Sequence, residues 1–129
     1  MNDSKLLTEA DRVRKHAYAP YSSFQVGAAL LTASGEVLTG CNVENLSFGL
    51  TMCAERVAVG AAVSKGLKEI TVIAIVSDSK EPVVPCGACR QVLAEFNPAL
   101  RVISGNLAGK VVEFELSALL PLPRQGILG

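Results

Sequence analysis

Two short stretches hold residues of types that do chemistry. "TMCAERVAVGAAV", residues 51–63, sets Cys53 two positions before Glu55 at the head of a run of small apolar residues, and "PCGACRQVL", residues 85–93, holds Cys86 and Cys89 as a Cys-x-x-Cys pair. Alone, a cysteine behaves as a small hydrophobe, and a glutamate in a first helical turn is favoured by the helix dipole. Together they admit three readings. A thioredoxin-type redox dithiol sits at a helix start, where the dipole lowers the thiol pKa, and needs no third cysteine. A closed structural zinc site needs four ligands, and the further candidates are Cys41, His16 and Cys53. A catalytic zinc site needs three protein ligands, an open position for water and a carboxylate to move protons, which uses Cys53, Cys86, Cys89 and Glu55 together. Three thiolates on one dication leave a net negative charge. Two helix N-termini aimed at it would offset that charge, as would Arg56 and Arg90 donating hydrogen bonds to sulfur.

The elements that must hold these residues can be read from periodicity. Ser4 to about Ala17 has apolar residues at Leu6, Leu7, Ala10 and Val13, which predicts an amphipathic helix ending before the turn-rich Ala19-Pro20-Tyr21-Ser22-Ser23. Phe24 to Thr32 and Glu36 to Asn42, joined by Ala33-Ser34-Gly35, read as a hairpin. A polar loop, Glu44 to Gly49, precedes a helix from near Met52 to about Ser64 whose small residues predict burial on most sides. Ile70 to Val76, "ITVIAIV", suits a central strand. A loop with Pro82 and Pro85 leads to a helix from Cys86 to about Phe96, stopped by Asn97-Pro98. Strands at Arg101 to Ser104 and Val111 to Glu115, then a helical turn from about Ser117 to Leu120, complete the pattern. The expected fold is α/β, a three-layer α/β/α sandwich around a five-stranded mixed sheet.

Composition bounds the partners. A chain of 129 residues is the size of one domain, spanning 1–129. Charged residues are only 19% against 50% hydrophobic, which leaves a monomer short of polar covering and predicts a homo-oligomer. Twelve basic and twelve acidic residues cancel. The largest basic group, Arg12, Arg14 and Lys15, reads as a solvated helix face, so no nucleic-acid partner is expected. With neither an apolar leader nor a membrane-length apolar run, the expectation is a cytoplasmic protein without a membrane partner. In that compartment four cysteines favour metal, catalytic or core roles over disulfides.

Three linked motifs, "YAPYSSFQVGAALL" (18–31), "GCNVENLSFGLTMCAERVAV" (40–59) and "PCGACRQVLAEF" (85–96), resemble the zinc-dependent cytidine deaminase superfamily, specifically its small homotetrameric free-nucleoside members. The likeness runs from about Lys15 to Pro121. It implies one zinc per chain on Cys53, Cys86 and Cys89, with Glu55 shuttling protons while cytidine or 2′-deoxycytidine is hydrolysed to the uracil nucleoside and ammonia. It further implies substrate contacts from Phe24 (base or sugar), Asn42 and Glu44 (a ribose hydroxyl) and the Ala54 backbone N–H (the base oxygen), and sites shared between subunits of a homotetramer. Cys41 is expected to be an inert buried thiol and His16 to be exposed without function. Two departures stand out: Arg124 occupies the place of the family's C-terminal stacking phenylalanine, and Phe48 stands where many relatives have tyrosine. Another cytosine nucleoside, such as an antibiotic, would use the same zinc core. From a different class, a non-catalytic zinc-stabilised domain would take Cys41 as its fourth ligand.

Overall fold

The computed structural model describes residues 1–124, so Gln125 to Gly129 of the expected tail lie outside the described residues. Helix α1 (Asp3–Arg14) precedes the hairpin β1 (Val26–Thr32) and β2 (Val37–Cys41); then come α2 (Ala54–Ser64), β3 (Ile70–Ser77), α3 (Gly87–Phe96), β4 (Arg101–Asn106), β5 (Val111–Glu115) and the short α4 (Leu116–Leu119). The five strands form one sheet in the order β2-β1-β3-β4-β5. The apolar run is central: Ile73 and Ile75 face one side with no exposure, Ala74 and Val76 the other. Each isoleucine buried in this way contributes roughly 1.5–3 kcal/mol.

Alternate residues along the strands divide the interior into two cores. Ala29, Val72, Ala74 and Ile103 pack with Leu6 and Ala10 of α1; Ala28, Leu30, Ile73 and Val102 pack with Ala58 and Ala62 of α2 and Leu93 of α3. That is the expected three-layer sandwich, with one helix on one face and the rest on the other.

Strand direction decides where the chemistry can be. β1 runs antiparallel to both β2 and β3, so β2 and β3 point the same way and end at the same sheet edge, where β1 begins. The residues after β2, the residues before β1, and the starts of the helices that follow β2 and β3 all meet there. A small ladder closes that edge: Tyr18 N–H donates to Asn42 O at 3.0 Å, Glu44 N–H to Tyr18 O at 2.8 Å, and Val43 and Met52 exchange backbone bonds at 2.9 Å.

Glycine sets how near the helices lie. A Cβ on Gly27 would stand 1.9 Å from Ala10 O, and one on Gly40 would stand 2.4 Å from Ala58 N and 2.6 Å from Ala54 O. Both helices rest on bare backbone.

Several expectations need correction. α1 ends at Arg14 rather than Ala17, because Ala17 N–H turns back to Arg14 O and the chain then pairs with residues 42–44. Arg14 itself is buried over Gly27 and ion-paired with Asp11 at 2.9 Å, so the basic group is only partly a solvated face. α2 is not buried on most sides: Ala54, Glu55, Ala58, Val59 and Ala62 are buried, while Gly60 and Val63 are exposed, since an outer helix has a single layer beneath it. Cys41 is half-buried on the edge strand β2 rather than buried, and a 3-10 turn, Phe48–Leu50, interrupts the polar loop. His16 is exposed, as expected.

A Gly40→Ala variant therefore has to lift α2 off β2, which overpacking data put at about 1–3 kcal/mol or more. Thermal melting should fall by several degrees; an unchanged melt would show that the close approach of α2 is not a packing constraint.

Candidate active site

Cys53 is the N-cap residue of α2 and Cys86 that of α3, and neither side chain caps its helix, so both thiols are free to face outward from the helix start. Cys89 sits one turn into α3 and is buried. The three sulfurs converge: Cys53 to Cys86 is 4.0 Å, Cys86 to Cys89 is 3.5 Å, and all lie within 4.8 Å of one another. Tetrahedral zinc with sulfur at about 2.3 Å places thiolates roughly 3.8 Å apart, so the observed spacing brackets the required one. Three thiolates are the donor set zinc accepts, and a three-ligand site leaves a fourth position for another group. Among the described residues Cys41 is not part of this cluster, so the closed four-ligand alternative has no fourth thiol.

Electrostatics at the cluster follow from its neighbours. Arg56 Nη2 donates to Cys53 Sγ at 3.5 Å and to Thr51 O at 3.3 Å, while its Nε is buried with no partner among the described residues. Cys53 is held down at about 5, first by the hydrogen bond from the Cys89 thiol and then by Arg56 and Cys86, with burial opposing. Cys89 is pushed up by that same shared bond and by burial. Glu55, 5% exposed, has its carboxyl pushed above the ordinary range, chiefly by burial and also by the charge on Cys53; its own backbone N–H and Arg56 pull the other way. A carboxyl so placed holds a proton more readily than one in water.

A cavity of about 310 Å³ opens beside the thiols, lined by Phe24, Asn42, Glu44, Cys53, Ala54, Glu55 and Cys86 together with Val26, Thr51, Val83 and Val84. The residues expected to touch substrate thus line one wall system, although they come from three separate segments. Sequence reasoning missed Val83 and Val84. Their signal was an apolar pair in a loop bracketed by Pro82 and Pro85. The loop is pinned from outside by Asn106 Nδ2, which donates to Lys80 O at 2.9 Å, and by an ion pair between Lys110 and Glu81.

Not every expected contact is present in the expected form. Arg90 does not donate to a thiolate: its Nε donates to Pro85 O at 2.7 Å and its Nη1 to Leu119 O at 3.0 Å, so two backbone carbonyls take up its guanidinium. Asn42 is already engaged, Oδ1 accepting from Val26 N–H and Nδ2 donating to Phe24 O, both at 2.8 Å. Arg124, at the position whose aromatic in the family reaches a neighbouring subunit's site, pairs within this chain with Glu95, with Nη2 to Glu95 O at 3.0 Å. Phe48 is 74% exposed and meets Tyr21 edge to face at 6.1 Å.

Comparison with known proteins agrees with this geometry. Residues 1–105 match the family described as the cytidine and deoxycytidylate deaminase zinc-binding region. The chain is similar to a cytidine deaminase of Halalkalibacterium halodurans, 53% identical over 122 residues that cover 94% of this chain and 92% of that protein. It is also similar to a blasticidin-S deaminase of Bacillus cereus, 35% identical over 105 residues that cover 75% of this chain and 74% of that one. The crystal structure of a cytidine deaminase from Burkholderia pseudomallei superimposes with a TM-score of 0.91 at 47% identity, covering 94% of this chain and 98% of that one.

Replacing Arg56 with alanine removes the cation beside Cys53 and should weaken zinc binding by about 10–100-fold in competition with a chromogenic chelator. Equal affinity in the two proteins would show that the guanidinium does not support the thiolate.

Proposed function

Because the chain belongs to the cytidine and deoxycytidylate deaminase family, we propose that it hydrolyses cytidine and 2′-deoxycytidine to uridine and 2′-deoxyuridine with release of ammonia. The single observation that carries this reading is the cavity in which a buried carboxyl, two of the three clustered thiols and the polar groups of Asn42 and Glu44 face one space of about 310 Å³.

Zinc, held by Cys53, Cys86 and Cys89, supplies a Lewis acid that makes water nucleophilic near neutral pH. Glu55 does the proton work. It accepts one proton from the attacking water and passes it to N3 of the cytosine ring, then takes the second proton from the hydroxyl newly formed on C4 and delivers it to the departing 4-amino group, so that water and cytidine become uridine and ammonia. Burial, which raises its pKa, suits it to holding that proton between steps. The Ala54 N–H, at the first turn of α2, donates to the base oxygen with the helix dipole behind it. Phe24, Val83 and Val84 give the base apolar walls, and Asn42 and Glu44 take a sugar hydroxyl with one donor and one acceptor. Arg56 steadies the Cys53 thiolate, and Arg90 holds the Pro85 carbonyl that fixes the approach to Cys86.

The same reading makes the protein a homotetrameric enzyme of pyrimidine salvage acting in the cytoplasm, with sites shared between subunits. Support for assembly comes from Leu46, Phe48 and Leu50, exposed at 78%, 74% and 68% on the loop that leads into Cys53. No helix among the described residues is long and apolar enough to cross a membrane.

Loss of cytidine absorbance on incubation with protein of known zinc content tests the reading, with turnover expected to track about one zinc per chain. Glu55→Gln should keep its zinc and its fold while kcat drops by about 10²–10⁴-fold. Wild-type turnover in that variant would remove Glu55 from the mechanism.

A further inference from the structure

We propose that Ser22 is a positioning residue for nucleoside binding, its hydroxyl coupling the carboxylate of Glu44 to the backbone of Phe24; the proposal rests on the function proposed above. Ser22 Oγ donates its proton to Glu44 Oε2 and at the same time accepts the Phe24 N–H at 3.0 Å. The backbone N–H groups of Tyr21 and Ser22 donate to Glu44 Oε1 at 2.9 and 3.2 Å. A carboxylate has about four acceptor positions, and the turn occupies three of them. One is left for a substrate hydroxyl, and its direction is set by the three bonds already made. Glu44 accordingly sits below the ordinary carboxylate range, with the Ser22 hydroxyl as the largest cause.

Phe24 is held from both ends. Ser22 takes its N–H, and Asn42 Nδ2 donates to its carbonyl oxygen at 2.8 Å, so Asn42 directly, and Glu44 through Ser22, also fix the aromatic wall of the cavity that both of them line. Between them Ser23 has φ +59°, a left-handed conformation that a serine adopts only where its surroundings impose it. The bonds from Glu44 to residues 21 and 22, together with Ser23 N–H to Ala19 O at 3.0 Å, impose it here. Ser22 is exposed, so alanine at this position opens no cavity and the variant is expected to fold.

The test compares Ser22→Ala and Ser22→Thr zinc enzymes with the wild type on cytidine and on 2′,3′-dideoxycytidine, which has no sugar hydroxyl for Glu44 to accept from at those positions. For Ser22→Ala, KM for cytidine should rise about 10-fold with kcat within about twofold, because the hydrogen bond lost from a charged acceptor lies away from the reacting atoms. On the dideoxynucleoside the rise should be about threefold or less, reflecting Phe24 alone. Ser22→Thr, which keeps the hydroxyl, should return KM to near the wild-type value. An unchanged KM in Ser22→Ala, an equal rise on both nucleosides, or a threonine variant no better than alanine would overturn the proposal. So would a Ser22→Ala protein that fails to fold while Ser22→Thr folds, since the hydroxyl would then serve the fold. A wild-type enzyme that leaves cytidine intact would instead refute the reading of the site, and that result is obtained before any variant is compared.

Discussion

The direction of one strand governs this molecule. Because β1 is antiparallel to both of its neighbours, β2 and β3 finish at the same sheet edge, and the helices that follow them start there with their N-terminal N–H groups side by side. Unsatisfied N–H groups make each helix start a region of positive potential, and two such regions at one point favour a cluster of thiolates that water alone would stabilise less well. The Gly40 contact strengthens the effect by letting α2 lie directly on β2. The chemistry is therefore a property of topology first and of side chains second.

The geometry also divides labour between the two faces of the sheet. α1 covers one face with Leu6 and Ala10, and none of the cavity residues comes from it. The other face carries α2 and α3, whose first turns hold the thiols and the buried carboxyl while their later turns pack in the core. Each catalytic helix is thus anchored at its C-terminal part and chemically active at its N-terminal part. Rigid support and a reactive tip belong to the same element.

Much of this was legible in the sequence because it rests on local signals. Periodicity located the helices and strands to within a few residues, the unbroken apolar run marked the central strand, and Cys-x-x-Cys with Cys-x-Glu marked the cluster. What was not legible depends on partners distant along the chain. Arg90 stands beside a metal-type cysteine in sequence, yet its guanidinium reaches Pro85 and Leu119. Asn42 and Glu44 read as free sugar contacts, but each is already bonded to the segment 21–26, some twenty residues upstream. Burial of Arg14 depends on Gly27 having no side chain, a fact about packing that helical periodicity does not carry. Val83 and Val84 gain meaning only once the loop after β3 is folded against the cavity.

The Arg90 bridge has a bearing on how the chain is made. Its two acceptors, Pro85 O and Leu119 O, lie on opposite sides of it in sequence, and the second is 29 residues downstream. During synthesis at about 5–20 residues per second, every thiol of the cluster is polymerised seconds before the carbonyl that completes the fixing of Arg90. Until Leu119 has been made, Arg90 has only the Pro85 carbonyl to hold, so the brace between the cysteine loop and the segment after β5 is the later of its two bonds to become possible.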